Sequence, residues 1–319
     1  MALDHYVSQV HLRNFYSPAL GGRMYAVRKS DGKAFTPNSE SVCRIEAGNT
    51  NDYLIEDRLI EEFLKGIEPK YNASVKKLAA GNVTAECVYV LAGFASYVMT
   101  CSPAGMRIHA ASLKATLESS ARALDAAGAF APPPESLGGA NLTELLRDGK
   151  LEFKVDPKYP QAIGIANILK MTSLLGNCAW DILLNSHDDA SFFTSDYPIA
   201  IEDSGDPRPV NSIVPLTPTL AVRIQPDPSR ERSAPDFTFP NFSFRVRDIS
   251  RPEAVAINQL IVQCAEDVVF YRDDHAWVRR FVSKHGTLGI ETVSQEFQTP
   301  KGFLLLARQR IVRRRELPP

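Results

Sequence analysis

Asn177-Cys178-Ala179-Trp180-Asp181-Ile182-Leu183-Leu184 is the stretch at which the pattern of the chain changes from helical to extended. Before it, apolar residues recur at three- and four-residue spacing, which indicates helices. After it, short apolar runs are separated by polar and proline-containing turns, which indicates strands. Helices followed by clustered strands are typical of α+β proteins rather than of a repeating βαβ unit. We therefore expect an α+β fold, with a helical bundle packed on a mostly antiparallel β-sheet.

The helical part is expected at residues 51–176. Thr84–Thr100 is apolar nearly all round, which predicts a central buried helix. The stripe between Asp52 and Lys65 predicts an amphipathic helix that Pro69 ends or kinks. Further helices are predicted at Met106–Phe130, Asn141–Asp148 and Pro160–Leu175.

The sheet-rich part is expected at residues 177–319, and an N-terminal arm and hairpin at residues 1–50. Asp31-Gly32 between the apolar runs of Met24–Phe35 predicts the hairpin turn. The arm is expected to reach the sheet, and the whole chain to form one domain. Strands are predicted around residues 180–184, 191–194, 198–201, 212–216, 220–224 and 268–271, helices at 251–265 and 275–284, and a basic tail at 308–315.

The composition narrows the class of protein. Hydrophobic residues make up 44% and charged residues 23% of the 319, so a sizeable core needs no disulfide or metal. The net charge of −1 does not indicate a general polyanion binder, because non-specific nucleic-acid binding rests on a basic surface. The N-terminus lacks a signal-peptide pattern, and the apolar stretch Val88–Met99 is too short to span a bilayer. We expect a cytoplasmic protein without a membrane segment.

Well-known catalytic motifs are missing from the sequence. It contains no phosphate-binding Gly-x-x-x-x-Gly-Lys loop, no His-Glu-x-x-His and no Gly-x-Ser-x-Gly. The five cysteines are widely spaced and form no Cys-x-x-Cys pair, so a zinc knuckle or redox motif is not expected. Buried thiols in a reducing compartment are the simpler interpretation.

The first candidate cluster is His5, Tyr6, Gln9 and Arg13. On a helix, residues 5, 9 and 13 would share one face at a spacing of four residues. An imidazole, an amide and a guanidinium together suit the binding and protonation of an anionic or phosphoryl group. The alternative is an arm that these side chains fasten to the core through hydrogen bonds.

The second candidate cluster follows a strand, at Thr194, Ser195 and Asp196. Strand ends position mobile polar groups, and functional sites are commonly built there. Asp196 is a candidate general base or ligand of a divalent metal, and Ser195 a candidate for binding a substrate oxygen. The alternative is a tight turn in which these side chains cap backbone N–H groups. Asn258, in an otherwise apolar helix, is a third candidate, either orienting a site or holding a loop.

The opening His5-Tyr6-Val7-x-Gln9-x-x-Leu12-Arg13-Asn14-Phe15 resembles the start of a bacterial family catalogued as domain of unknown function 4238. Phe192-x-Thr194-Ser195-Asp196-x-Pro198 and Ile213-x-Pro215-Leu216-Thr217-Pro218 are similar to two later segments of that family. Two departures stand out. Ser8 replaces the family's proline, and Thr100-Cys101-Ser102-Pro103 lacks the family's arginine, although Arg107 follows. The resemblance implies a bacterial accessory protein, with defence or nucleic-acid processing as its setting.

Two functional hypotheses follow. The first is a hydrolase acting on a nucleotide or nucleic acid, with His5 and Asp196 as catalytic groups and a divalent metal as candidate cofactor. Its substrate would contact Tyr6, Gln9, Arg13, Thr194, Ser195 and Asn258. The second is a non-catalytic binding or regulatory module in which the same motifs are structural. In a third hypothesis, the protein is an interaction protein whose arginine-rich C-terminus contacts nucleic acid.

Overall fold

The computed structural model describes residues 3–131, 133, 135–203, 209–227, 229, 234–299 and 302–313. It has an α+β fold, as the sequence predicts. Nine helices form within these ranges: α1 (Gln9–Leu12), α2 (Leu59–Ala79), α3 (Ala85–Cys101), α4 (Pro103–Ala126), α5 (Leu142–Arg147), α6 (Lys158–Ala166), α7 (Ile168–Gly176), α8 (Arg251–Cys264) and α9 (Val278–His285).

The strands of the described residues are short except for the last two. They are β1 (Leu3–His5), β2 (Tyr25–Arg28), β3 (Ala34–Phe35), β4 (Arg44–Glu46), β5 (Ala179–Leu184), β6 (Thr194–Ser195), β7 (Ala200–Glu202), β8 (Asn211–Thr217), β9 (Leu220–Gln225), β10 (Ser243–Asp248), β11 (Val268–Tyr271), β12 (Leu288–Thr299) and β13 (Gly302–Arg313).

Helix α3 is the centre of the helical half, as its sequence predicts. Thr84 caps its N-terminus by accepting a hydrogen bond from the Cys87 N–H. The helix packs against α2, α4, α6 and α7, and most of its side chains are buried. Gly93 lets α2 approach closely, since a Cβ there would lie 2.6 Å from Ile67 Cδ1.

Several predicted helix boundaries are wrong. The first long helix begins at Leu59 rather than Asp52, and Ile55 of the predicted stripe is fully exposed. Turns occupy residues 51–58, with the Asn51 N–H bonded to the Asp57 carbonyl. Of the two outcomes predicted for Pro69, the first does not occur, because the proline lies inside α2 and the helix continues past it. The helix predicted at 160–175 divides into α6 and α7 at Asn167.

The strands form two main sheets rather than one. The larger sheet has the order β10-β5-β9-β8-β7, and the smaller has the order β3-β2-β11-β6. Their pairings are antiparallel except for β10 with β5. Strand β10 lies at the edge of the larger sheet, and no other described strand pairs with it. The predicted hairpin is confirmed, with Gly32 at a φ of +68° in the β2–β3 turn.

The basic segment predicted as a tail is a strand as far as Arg313. Strands β12 and β13 pair along their whole length as an antiparallel hairpin that packs on α4 and α8. One hydrophobic core reaches from Val7 in the arm to Ile290 in this hairpin. No single helix among the described residues is both long and apolar enough to cross a membrane, although the pair α3 and α4, bent by 65°, would pass on length and composition.

Candidate functional site in the N-terminal arm

The N-terminal arm changes conformation within a few residues. His5 ends β1, which pairs with β4, and Gln9 begins the four-residue helix α1. Arg13 lies in the 3₁₀ turn that follows. The interpretation that put residues 5, 9 and 13 on one helix is therefore wrong, because strand pairing takes His5 out of the helical path.

The three side chains nevertheless meet at one residue, Ser39. The His5 ring nitrogen Nε2 lies 3.1 Å from the Ser39 carbonyl oxygen. Ser39 Oγ lies 3.3 Å from Gln9 Oε1 and 3.4 Å from Arg13 Nε, while Arg13 Nη2 donates to Gln9 Oε1 at 2.9 Å. Ser39 is buried, and its hydroxyl and N–H each lie 2.8 Å from the Tyr16 hydroxyl. The first predicted cluster is thus assembled around a serine that sequence spacing does not connect with it.

A second arginine joins this cluster through the strand pairing. Arg44 is directly opposite His5 in the β1–β4 ladder, and opposite residues of an antiparallel pair project to the same side. Arg44 and Arg13 are both exposed. Glu40, which follows Ser39 in the sequence, is also exposed. The arm therefore presents two guanidinium groups and an imidazole around a buried hydroxyl.

Tyr6 faces the interior and connects the arm with the second motif. Its N–H donates to the Cys43 carbonyl at 2.9 Å. Burial raises the pKa of the Tyr6 phenol far above its usual value, and the nearby Cys43 thiol and Asp196 carboxyl raise it further. Tyr6 is therefore a neutral, half-buried residue near Asp196 rather than part of the exposed cluster.

His11, which the sequence does not single out, bridges three elements. Its Nδ1 lies 2.7 Å from the Tyr71 hydroxyl of α2, and its Nε2 lies 2.8 Å from Thr194 Oγ1 of β6. The ring stacks on Phe94 of α3 with 4.8 Å between centroids. Burial lowers the pKa of His11 to about 3, so the imidazole is neutral at physiological pH.

The second predicted cluster is buried and bonded to protein groups. Ser195 Oγ accepts from the Tyr197 N–H at 3.1 Å. Asn258 accepts from the Phe193 N–H and donates to the Ser191 carbonyl, each at 2.9 Å. Both residues, like Thr194, are buried. These bonds fasten the segment around β6 to α1 and α8.

Asp196 receives three backbone N–H groups. Its Oδ1 accepts from Glu266 at 2.8 Å, and its Oδ2 accepts from Asp267 at 2.7 Å and Val268 at 2.9 Å. The carboxylate therefore holds the turn between α8 and β11. Burial raises the pKa of Asp196 to about 6, although the hydrogen bonds from Val268 and Asp267 oppose that shift.

His5 and Asp196 serve separate local networks. No hydrogen bond joins them among the described residues, since His5 contacts Ser39 and Asp196 contacts the turn at 266–268. Throughout the ranges that the structure describes, no three His, Cys, Asp or Glu side chains come close enough together to hold a metal ion.

The two departures from the family pattern also have structural counterparts. Ser8 precedes α1 with a φ of −58°, and its buried Oγ has no hydrogen-bond partner among the described atoms. Arg107, near the missing arginine, makes two bonds to Glu266, at 3.1 and 2.8 Å, and binds Glu291 at 2.7 Å. It thereby joins α4 to the start of β11 and to β12.

The fold and these contacts define an α+β protein whose N-terminal arm is hydrogen-bonded to both its helical half and its smaller sheet. The model of a family described as "Protein of unknown function (DUF4238)" matches residues 4–275, and the chain belongs to that family. Searches of curated proteins and of solved structures gave no significant match. The matched region contains the arm and the Thr194–Asp196 segment, and it stops before α9 and the β12–β13 hairpin.

Proposed function

We propose that the protein binds a phosphate-bearing molecule, a nucleotide or a nucleic acid, at the N-terminal arm. The observation that carries the proposal is the convergence of His5, Gln9 and Arg13 on Ser39, with Arg44 opposite His5. Guanidinium groups bind phosphate oxygens through paired, charge-assisted hydrogen bonds. An imidazole beside them adds a further hydrogen-bonding group.

The arm cluster is better suited to this role than the Thr194–Asp196 segment. Arg13 and Arg44 are exposed, and the described residues give His5 Nδ1 no hydrogen-bond partner. Asp196, in contrast, is buried and already accepts three N–H groups. These contacts support the structural interpretation of the second motif and favour a binding or regulatory module.

Hydrolysis of the bound molecule is the second candidate, and His5 is the observation that favours it. Its half-buried ring is anchored through Nε2, which fixes its direction, while Nδ1 remains available to exchange a proton with a ligand. A catalytic role for Asp196, with or without a divalent metal, would require its backbone bonds to open. We place the protein in the cytoplasm, because none of its five cysteines forms a disulfide and all are buried, as is common in a reducing compartment. The family resemblance suggests that this cytoplasm is bacterial.

A titration of the full-length protein with ATP and with inorganic phosphate tests the proposal. We expect saturable binding, weakened about ten-fold by Arg13→Gln and by Arg44→Gln, since a hydrogen bond to a charged group is worth roughly 1.5–3 kcal/mol. Lys170→Gln, an exposed cation on α7, is the matched control. Equal affinity in all four proteins, or no binding at millimolar ligand, contradicts the proposal. Phosphate release that His5→Gln abolishes would establish the hydrolytic candidate.

A further inference from the structure

The β12–β13 hairpin has two different faces. On the inner face, Ile290 is fully buried, the Thr292 hydroxyl donates to the Ile108 carbonyl at 3.0 Å, and Glu296 binds Arg122 and Ser119 of α4. Alternate residues of each strand point away from α4, although the carboxylate of one of them, Glu291, reaches Arg107 of α4. The outer face of the hairpin consists of Val293, Phe297, Leu304, Leu306, Arg308 and Arg310, together with Gln295 and Glu291.

The outer face is apolar towards the turn and basic towards the other end. Phe297 and Leu304 are direct cross-strand partners, and they are 46% and 59% exposed. Arg308 and Arg310 follow at alternate positions of β13. The acid on this face, Glu291, is bound by Arg107 at 2.7 Å, which offsets its charge. An exposed aromatic ring therefore lies on the same surface as two guanidinium groups.

We propose that the outer face of the hairpin binds single-stranded nucleic acid. Exposed aromatic rings stack on unpaired bases of any sequence, and arginines beside them bind the phosphates. The charge of the face matches a polyanion, and Phe297 matches an unpaired base. Helix α4 covers the inner face of the hairpin as far as Glu296, so the outer face is the one that is open to a ligand. Phe297 on that face favours an unpaired base, because the bases of a duplex are already stacked.

This surface is separate from the arm and does not depend on the function proposed there. It lies beyond the region that the family shares, which ends at residue 275. The proposal also assigns a role to Arg308 and Arg310, which the sequence analysis describes only as part of a basic tail.

Fluorescence anisotropy of labelled oligothymidylate with the full-length protein tests the proposal. We expect binding that weakens with salt, with a slope reduced by about 1.4 in the double variant Arg308→Gln/Arg310→Gln, since each phosphate neutralised on a single strand contributes about 0.7. Phe297→Leu keeps an apolar cover on the hairpin and removes the stacking ring. It should weaken binding on the order of ten-fold with an unchanged salt slope.

Lys170→Gln controls for the loss of one charge elsewhere, and Arg13→Gln reports on the arm. Loss of oligothymidylate binding in the hairpin variants, with Arg13→Gln unaffected, supports the inference whether or not the arm binds ATP. Undiminished binding in both hairpin variants overturns it, as does preference for duplex DNA. Binding to phosphatidylserine vesicles but not to oligothymidylate would assign the face to a membrane surface and overturn it as well.

Discussion

His11 Nε2 lies 2.8 Å from Thr194 Oγ1, so the first helix of the arm is bonded directly to a strand 183 positions away. The imidazole is fully buried, and burial lowers its pKa to about 3. Since the Tyr71 and Thr194 hydroxyls serve its two nitrogens, the neutral ring is satisfied and a proton would have to be accommodated without water. The arm and the Thr194–Asp196 segment thus meet through the side chain of His11.

His11 should make the protein sensitive to acid. Its pKa lies below its ordinary value of 6.5 in the folded state, so the unfolded state binds the proton first and stability is lost as pH falls below about 6.5. Urea unfolding of wild type and His11→Gln at about pH 7 and about pH 5 measures this loss. We expect the wild type to lose about 2 kcal/mol more than the variant. An identical pH dependence in both proteins would rule out His11 as the cause.

Asp196 should act in the opposite sense. Its pKa of about 6 lies above the ordinary 3.8, so the folded state keeps the proton at pH values where the unfolded state has lost it. The contribution of Asp196 to the free energy of unfolding therefore falls as the pH rises from about 4 to 6. The stability difference between wild type and Asp196→Asn should shrink by about 2–3 kcal/mol over that range. A difference that grows with pH would mean that the three N–H donors outweigh burial.

Asn258 should be needed for stability. Asn258→Ala leaves the Phe193 N–H and the Ser191 carbonyl buried without partners, at a cost of about 3 kcal/mol. Gln259→Ala, one position along α8, should cost less than about 0.5 kcal/mol. Chemical denaturation of both variants checks the contrast, and a small effect at Asn258 would count against its holding this segment.

Ser8→Pro should stabilise the protein. The φ of −58° suits proline, and the substitution removes a buried hydroxyl that has no partner among the described atoms. We expect a gain of about 0.4–1 kcal/mol from the restricted unfolded chain. Ser8→Ala separates the effect of the hydroxyl from that of φ. A lower melting temperature for the proline variant would show that the Ser8 N–H is needed.

Two helical glycines should respond oppositely to alanine. Gly66 on α2 has no atom within 4 Å of an added Cβ, so Gly66→Ala should stabilise by about 0.8 kcal/mol through helix propensity. At Gly105 an added Cβ would lie 2.1 Å from the Met99 carbonyl oxygen, and Gly105→Ala should cost about 2 kcal/mol or more. Thermal unfolding of the pair checks the signs, and a stable Gly105→Ala would show that the α3–α4 junction can shift.

Local patterns predict the helices and several of the strands. Asn141 and Glu144 form the capping box that their spacing indicates, and the apolar run of α3 is the buried centre of the bundle. Strand β10 is missed although Phe244, Arg245, Val246 and Arg247 alternate between apolar and charged residues, because the strand is exposed and follows a long polar loop.

The candidate site could be predicted only in part. Short spacing brings His5, Gln9 and Arg13 near one another, and the structure bears out their proximity although not their common helix. Ser39 and Arg44 join them through chain reversal and strand pairing, which no local pattern encodes. Asp196 shows the same limit, because its partners at 266–268 are some seventy positions away.

The edge position of β10 has a further consequence for the behaviour of the protein at high concentration. An open strand edge can recruit another chain, and inserted charges are a common protection against this. Arg245, whose side chain is 64% exposed, and Arg247 lie on that edge. Both arginines are held in place by ion pairs within the chain, Arg245 with Asp181 and Arg247 with Glu253. The strand that completes the larger sheet therefore also gives it a charged border that opposes pairing with a second copy.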